Sequence, residues 1–533
     1  MNVRYSRKRL ALSLQQPTGL WTNGFAYDAA RRLTNVVSPA GSHVYTLGGS
    51  GPGSPLIKKL LLPNTSYITN TYGAVTGTFL NNSGNTTLDS STYGYNAANQ
   101  RTTYVGYTYD KIGQLKIADS SVNTEDRGYA YDSAWNLNYL TNNGVSSTFT
   151  VDSRNQLTST PIGSATNDSN GNLVSYVHHY GSGSTTRICA YDDENRLVSA
   201  YSGTVYRTDF GYDGLGRMRT KTTFTWNGSA WVVSATVEYI YDGMRVIQER
   251  DGNNLPAVSY TRGTDLSGSL EGAGGIGGLL ARSSGYSSGN WTNHNYYHAD
   301  GNGNIMYLVN NSQTQAAAYR YDPFGNMIGS SGSLATTNVY RFSSKEIHLV
   351  DNNGSPPLYY YGYRFYDPSL QRWLNRDPVG EPGGVNLYRF VRNQPTFQTD
   401  NYGLYLTSEC AAALAALNEF LKEFGNKPNP VLFPQLLRLT ANVVTACYHP
   451  PPPPPALSPE PITIAIPLQP HPFSCNMGSP TAPQPYTPPC VKAVCSYWPV
   501  GCVAGLCIIA PIALPCEGAE CMLLLIRAPV LSY

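Results

Sequence analysis

The chain has 533 residues, of which 13% are charged, and its formal net charge is +2. This balance excludes the broad basic surface by which proteins hold nucleic-acid phosphates. With 41 tyrosines against 14 phenylalanines, and 51 glycines, the composition is typical of exposed or half-buried strands joined by tight turns.

The first predicted element is a short N-terminal segment, residues 1–20. Its basic start is followed by the apolar stretch LALSL, which is shorter than the apolar core of a signal peptide, so we expect no clear signal peptide. Elsewhere the sequence has no uninterrupted apolar stretch of the roughly 18–20 residues that a membrane helix needs. We therefore expect no integral membrane span.

A repeat fills residues 21–330. Its consensus is an aromatic residue, any residue, Tyr, Asp, two small or polar residues, Gly or Asn, Arg or Gln, and an aliphatic residue. The clearest copies are FAYDAARRL (25–33), YTYDKIGQL (107–115), YAYDSAWNL (129–137), CAYDDENRL (189–197) and FGYDGLGRM (210–218). Weaker copies are YGYNAANQR (93–101), FTVDSRNQL (149–157), ATNDSNGNL (165–173) and YRYDPFGNM (319–327).

Each repeat predicts a strand, a turn and a second strand. The alternating aromatic residues place both rings on one face of a strand. Asp can bond its own backbone two residues later, and Gly or Asn then supplies a left-handed backbone position. One unit of this kind cannot bury its apolar face alone, so successive units stack. The sequence predicts a long antiparallel sheet that winds on itself.

One stretch inside the repeat region carries metal-binding residue types. HNYYHAD (294–300) places His294, His298 and Asp300 close together, which could indicate a metal, although we interpret the stretch as part of the β-structure. The sequence contains no phosphate loop and no dinucleotide fingerprint. We predict neither a metal site nor a cofactor.

Two aspartates end the repeat region. Asp377 begins Asp-Pro-Val-Gly and Asp400 begins Asp-Asn-Tyr-Gly. This pattern is typical of an ordinary β-turn in which Asp caps the backbone and Gly takes a positive φ. Two carboxylates that share one proton could instead activate a water against a peptide bond. The residues alone leave both interpretations open.

The repeats, together with YYYGYRFYDPSLQRWLNRDPVGEPGGVNLYRFVRNQPTFQTDNYGL (359–404), resemble the RHS family, whose YD repeats are shared with toxin-complex C components and teneurins. The resemblance covers about residues 20–404. It implies an all-β fold, in which a YD-repeat spiral of antiparallel strands forms a β-shell at residues 21–330. An RHS-associated core at 331–404 closes this shell. The repeat region is shorter than is common in the family, which implies a partial shell or one closed by another chain.

The resemblance also implies an activity. In the family the core is an aspartyl autoprotease that releases the enclosed C-terminal segment, so Asp377 and Asp400 are the candidate catalytic residues and cleavage would follow Leu404. Arg376 is a candidate for orienting the two carboxylates. The alternative interpretation is that Arg376 is an ordinary solvated side chain on the surface. The family usually has proline where this chain has Asn401, a change that frees the backbone beside Asp400.

The tail, residues 405–533, differs in composition from the rest. Residues 405–449 include a segment at 407–425 with helical spacing, and 450–533 are rich in proline and cysteine. Three Cys-x4-Cys pairs lie at 490–495, 502–507 and 516–521. In a secreted chain such pairs favour disulfides; a metal site and free thiols are the alternatives.

We therefore predict a bacterial RHS/YD-repeat shell protein of polymorphic-toxin type, secreted or at the cell surface. It would enclose its own C-terminal tail as cargo and release it. Its other expected partner is a second shell chain or a secretion-apparatus chain. The alternatives are a non-enzymatic repeat protein that contacts glycans or mediates adhesion through exposed tyrosines, and a degenerate RHS fragment without working cargo.

Overall fold

The structure is a computed structural model. It describes residues 9–404 except for 49–53, 73–74, 99, 104, 181, 349–356 and 382–383. Beyond residue 404 it describes residues 435 and 438–439 and the backbone of 501–503 and 506–508. The predicted tail helix at 407–425 and the cysteine pairs at 490–495 and 516–521 therefore lie outside the described residues.

The described chain is built from antiparallel sheets. The first sheet contains β1 (Ala11–Gln15), β2 (Leu20–Tyr27), β3 (Leu33–Ser38), β4 (Gly41–Leu47), β5 (Ile57–Leu61), β6 (Tyr67–Thr71), β7 (Val75–Asn81) and β8 (Thr87–Gly94). The second contains β9 (Gly106–Tyr109), β10 (Leu115–Asp119), β11 (Arg127–Tyr131), β12 (Leu137–Asn142) and β13 (Val145–Thr148).

The third and largest sheet has 16 strands. They are β14 (Thr150–Val151), β15 (Leu157–Thr160), β16 (Gly163–Asn167), β17 (Leu173–Tyr180), β18 (Gly183–Tyr191), β19 (Leu197–Ser202), β20 (Tyr206–Tyr212), β21 (Met218–Trp226), β22 (Trp231–Asp242), β23 (Arg245–Asp251), β24 (Pro256–Arg262), β25 (Leu279–Ser287), β26 (Asn290–Ala299), β27 (Ile305–Asn310), β28 (Gln315–Tyr321) and β29 (Met327–Ser331).

A small fourth sheet follows, made of β30 (Glu346–His348), β31 (Leu358–Tyr360), β32 (Phe365–Asp367) and β33 (Arg372–Trp373). Single turns of 3-10 helix lie at Asn123–Glu125, Phe342–Ser344 and Val391–Asn393. In the tail, β34 (Gly501–Val503) pairs with β35 (Leu506–Ile508), and this register places the backbone of Cys502 opposite that of Cys507.

Every strand of the three large sheets pairs with the strands next to it in sequence, so the chain runs up and down without crossovers. This confirms the predicted all-β fold of antiparallel strands. β1, which lies in the predicted N-terminal segment 1–20, pairs with β2. Among the described residues, no helix is long and apolar enough to cross a membrane.

The Tyr-Asp repeats form turns of one kind, illustrated by Asp192. Its Oδ1 accepts the backbone N–H groups of Glu194 at 3.0 Å and of Arg196 at 2.9 Å. Its Oδ2 accepts Arg196 Nε at 2.7 Å, and Asn195 takes a positive φ of 59°. One carboxylate therefore satisfies the turn backbone and also fixes the Arg that opens the next strand.

The repeat predicts Gly or Asn at the left-handed position of each turn. The structure shows that other residues also occupy this position. Arg31 and Trp135 occupy it with φ of 63° and 69°. A side chain there is strained on its own, so the surrounding turn bonds must hold it. The ring of Trp135 also lies against the guanidinium of Arg389, 3.8 Å from its carbon to the ring centroid, which connects that turn to the segment 331–404.

Tyrosine hydroxyls connect five of the repeat units to the unit before them. In these five units the Tyr of the Tyr-Asp pair donates to the backbone carbonyl of the aliphatic residue that ends the preceding unit. The bonds are Tyr131 to Leu115 (3.0 Å), Tyr191 to Leu173 (3.0 Å), Tyr212 to Leu197 (2.6 Å), Tyr241 to Met218 (2.7 Å) and Tyr321 to Ile305 (2.9 Å). We call this series the tyrosine ladder. It accounts for part of the excess of tyrosine over phenylalanine, because each ladder bond needs a hydroxyl at the end of a ring.

The terminal core, residues 331–404, packs against the sheets. Leu358, Phe365 and Leu374 join the apolar cluster formed by the 16-stranded sheet, whereas Phe342 and Trp373 join that of the five-stranded sheet. A completely buried ion pair of 3.5 Å joins Arg187 of β18 to Asp367 of β32. The terminal core therefore shares apolar clusters with two of the three large sheets, which together we call the wall.

Candidate active site in the terminal core

Each candidate aspartate begins a tight turn. Asp377 Oδ1 accepts the backbone N–H of Val379 at 3.0 Å, and Gly380 closes the turn with φ 74°. Asp400 Oδ1 accepts three backbone N–H groups, from Tyr402 at 3.2 Å, Gly403 at 2.7 Å and Leu404 at 3.0 Å. The β-turn interpretation therefore describes the local structure of both residues.

The same two turns bring the carboxylates to one cation. Nη2 of Arg364 lies 2.7 Å from Asp377 Oδ2 and 3.8 Å from Asp400 Oδ2. The three side chains are only 1%, 5% and 3% exposed, in the order Arg364, Asp377, Asp400. The 23-residue separation in sequence is thus closed in space, around an arginine that the sequence motifs did not indicate.

Arg364 is fixed by its surroundings. Its guanidinium lies over Trp373, 4.2 Å from carbon to ring centroid, and Nη1 donates to the carbonyl of Leu387 at 3.1 Å. Nε donates to the carbonyl of Gly403, at the amide that joins Gly403 to Leu404. One side chain therefore contacts both carboxylates and the last described stretch of backbone before the predicted cleavage point.

Burial and charge act in opposite directions at this site. Loss of water raises the pKa of Asp400 above its ordinary value, and the charge of Asp377 raises it further. Arg364 and the backbone N–H groups oppose this rise because they stabilise the ionised carboxylate. Burial likewise lowers the pKa of Arg364, and both aspartates counter that effect.

Lys345 holds the second turn from the other side. Its Nζ donates to the carbonyl of Asn401 at 2.6 Å and to that of Gly274 at 3.3 Å. Burial lowers the pKa of Lys345 to about 7, although Asp400 favours its charged form. Near neutral pH this ammonium is therefore easily neutralised.

Asn401 stands where the resembled family usually has proline. Both its backbone carbonyl and its side-chain amide are hydrogen-bonded. Its carbonyl accepts Lys345, and its Nδ2 donates to the carbonyl of Gly272 at 3.1 Å. The hydroxyl of Tyr402 donates a hydrogen bond to the carbonyl of Glu271 at 2.8 Å. The 271–274 loop thus fixes the turn that the missing proline would otherwise stiffen.

The other sequence-predicted residues lie elsewhere. Arg376 donates to the hydroxyl of Tyr388 at 3.3 Å, and the cation between the carboxylates is Arg364. In the His-Asp stretch, His294 bonds Ser283 at 2.8 Å, His298 bonds Asp89 at 2.7 Å, and Asp300 caps a turn of the repeat kind. Each of these three side chains has its own separate partner, as expected for β-structure.

Leu404 is the last residue of the described core, and Tyr405 lies outside the described residues. The predicted cleavage bond, between Leu404 and Tyr405, therefore extends beyond the described residues. The backbone that leads to this bond is fixed, because the N–H of Leu404 donates to Asp400 and the carbonyl of Gly403 accepts from Arg364.

Comparison with known proteins gives partial matches. A scan against protein-family models finds none. Double-stranded DNA deaminase toxin A of Burkholderia cenocepacia (strain H111) is 27% identical over 242 residues, which is 44% of this chain and 16% of the relative. Toxin subunit YenC2 of Yersinia entomophaga is 50% identical over 64 residues, 12% of this chain and 6% of the relative.

A solved structure is similar over a longer stretch. The crystal structure of TcdB2-TccC3 aligns with 72% of this chain and 22% of its own, with a TM-score of 0.50 and 19% sequence identity. Likeness at that identity shows the fold. The chain spans less than a quarter of the length of each of these three proteins.

Proposed function

Because this chain is a homologue of RHS-type toxin proteins and has their shell fold, we propose that it is a toxin shell that cuts itself after Leu404. Residues 405–533 are then the released segment, enclosed by the shell until release. Asp377 and Asp400 are the catalytic residues. Arg364, rather than Arg376, orients and charge-balances them.

One observation carries the proposal: two buried carboxylates meet at one buried guanidinium. A lone turn-capping aspartate gains nothing from burial beside a second carboxylate, since like charges in a dry site repel each other. Structural ion pairs also bury charge, but they do not need two acids for one base. The arrangement is typical of a site where two carboxylates take different roles.

The surroundings of the two acids support a different role for each of them. Asp377 forms the 2.7 Å ion pair with Arg364 and accepts a proton from the attacking water. Burial raises the pKa of Asp400, and its Oδ1 accepts three N–H groups, which leaves Oδ2 as the oxygen for proton transfer. As the water oxygen bonds to the carbonyl carbon of Leu404 and the bond to Tyr405 breaks, Asp400 donates a proton to the leaving amine.

The test is the mass of the purified chain. The intact chain has a mass of 58.0 kDa, and cleavage would give fragments 1–404 and 405–533. Asp377→Asn and Asp400→Asn should each leave the chain intact, because each removes one of the two proton-transfer groups while keeping the side-chain shape.

The matched control is Asp322→Asn. Asp322 is also buried, begins a turn and has a raised pKa from burial, but it lies in the repeat at 319–327. This variant should still be cleaved. An intact wild-type chain, or fragments of unchanged yield in both site variants, would refute self-cleavage.

The partners and the location follow from the same proposal. The relatives are named as a toxin and a toxin subunit. We propose that this chain too works in a secreted toxin assembly, with a second shell or secretion-apparatus chain completing the wall. Co-expression with a candidate partner and measurement of the mass of the complex would test this.

The adhesion alternative drew on exposed tyrosines. In the structure many tyrosines are not available for such contacts. Those of the tyrosine ladder bond neighbouring repeats, and Tyr176, Tyr239 and Tyr260 are at most 1% exposed. The toxin relatives and the paired aspartates therefore favour the shell proposal over a tyrosine-rich glycan surface.

A further inference from the structure

The hairpin of β21 and β22 extends past its neighbours. β20 pairs with β21 only as far as Phe224, and β23 pairs with β22 only from Val237 onward. Residues 225–236 therefore project beyond both flanking strands. We call this projecting part, together with the residues at its base, the tip hairpin (residues 222–237).

The tip hairpin carries a group of apolar side chains directly behind its exposed polar turn at 227–230. Trp226 and Trp231 face each other across the two strands, with ring centroids 5.5 Å apart, and Trp226 is 36% exposed. Val232 is 47% and Val233 60% exposed. Large apolar side chains grouped in this way on a projecting element mark a surface that contacts something else.

Two features identify the contact. Residues 222–237 contain no Asp, Glu, Lys, Arg or His, so the partner is recognised without charge. Val232 and Val233 are consecutive residues of one strand and therefore point to opposite faces, both exposed. A folded protein partner would cover one face, whereas a lipid surface covers both.

The turn presents these side chains rigidly. The N–H of Asn227 bonds the carbonyl of Ala230 at 3.1 Å, and Asn227 Oδ1 accepts the N–H groups of Ser229 at 3.0 Å and of Ala230 at 2.9 Å. Tryptophan is the side chain most suited to the boundary between lipid headgroups and acyl chains, where its ring is apolar and its N–H stays hydrated. The edge of β22 beyond β23 has backbone groups that need water, which limits insertion to that boundary.

From these observations we propose that the tip hairpin docks the chain on the headgroup boundary of an uncharged phospholipid bilayer. The docking site consists of Trp226, Trp231, Val232 and Val233. It is separate from the terminal core and does not depend on self-cleavage.

The experiment is co-sedimentation of the full chain with phosphatidylcholine vesicles. The wild-type chain should bind, with tryptophan emission moving to shorter wavelength, and binding should be unchanged at high salt because no charges take part. The double variant Trp226→Ser with Trp231→Ser should bind at least about tenfold more weakly, because two large apolar rings are removed.

Two further variants keep the test decisive. Val233→Asp places a charge at an exposed position without disturbing the Trp pair, and it should weaken binding as well. Val145→Ser changes a 69% exposed valine on another hairpin and should have no effect. The proposal is overturned if the wild-type chain stays in the supernatant, if the tip variants bind equally, or if they abolish self-association instead of lipid binding.

Discussion

Replacing Arg364 with glutamine tests the candidate site most directly. The change leaves Asp377 and Asp400 buried without their shared cation and leaves the carbonyls of Gly403 and Leu387 without their donor. Removing one partner of a buried ion pair costs about 3–5 kcal/mol. A surface pair is worth about 1 kcal/mol or less. The matched control is Arg207→Gln, because Arg207 pairs with Asp209 at 2.7 Å but both side chains are about a third exposed.

Hydrogen exchange of the amides in residues 358–404 measures the effect locally. An opening free energy lowered by about 3–5 kcal/mol corresponds to exchange about a hundred to several thousand times faster in the Arg364 variant. The Arg207 variant should change exchange by less than about tenfold.

The pH dependence gives a second readout. Without Arg364 the pKa of Asp400 in the folded chain rises further above its unfolded value. Such a group stabilises the fold below its unfolded pKa, and that stabilisation is lost as pH rises through the folded pKa. The stability deficit of the variant should therefore shrink as the pH is lowered from neutral into the acid range, because protonation removes the charge that the variant leaves unpaired. Equal exchange in the two arginine variants, or a deficit independent of pH, would refute the shared-cation interpretation.

Other positions give sharper structural tests. Gly171→Ala should destabilise the contact between wall and terminal core by about 1–2 kcal/mol or more, because a Cβ at its φ of 84° would meet Tyr388 and Arg376; Gly203→Ala, also at positive φ but in open space, should cost only the backbone strain, as urea midpoints would show. Tyr212→Phe should cost about 1–3 kcal/mol in the same assay by leaving a carbonyl of the tyrosine ladder without its donor, and an unchanged midpoint would contradict the ladder. Because the pKa of Lys345 falls from 10.5 to about 7 on folding, the wild-type chain should gain stability over Lys345→Met as pH rises from about 7 to about 10; a constant difference would contradict the lowered pKa of this buried lysine.

The repeat turns could be predicted because their determinants are local. An aspartate such as Asp192 bonds groups two and four residues away, so a short sequence window contains the whole interaction. The left-handed positions of Arg31 and Trp135 could not be predicted, since bonds from the surrounding turn hold a conformation that their own side chains disfavour.

The candidate site divides in the same way. Asp377 and Asp400 were identified from their turn motifs and from the family resemblance, and the structure places both beside Arg364. Arg364 itself and Lys345 belong to strand-like stretches, YGYRFYD and FSSKEIH, that carry no site motif. Their importance depends on contacts across 13 to 56 residues of chain, which periodicity and composition do not encode.

The tyrosine ladder has a consequence for how chains of this architecture change length. Each hydroxyl reaches only the unit immediately before it, so removing or inserting one complete unit restores the same bond with a new neighbour. A deletion of half a unit would instead leave one tyrosine hydroxyl and one backbone carbonyl inside the wall without their hydrogen-bond partners. Growth and shortening in whole modules is therefore the low-cost route, and the ladder sets the size of the module.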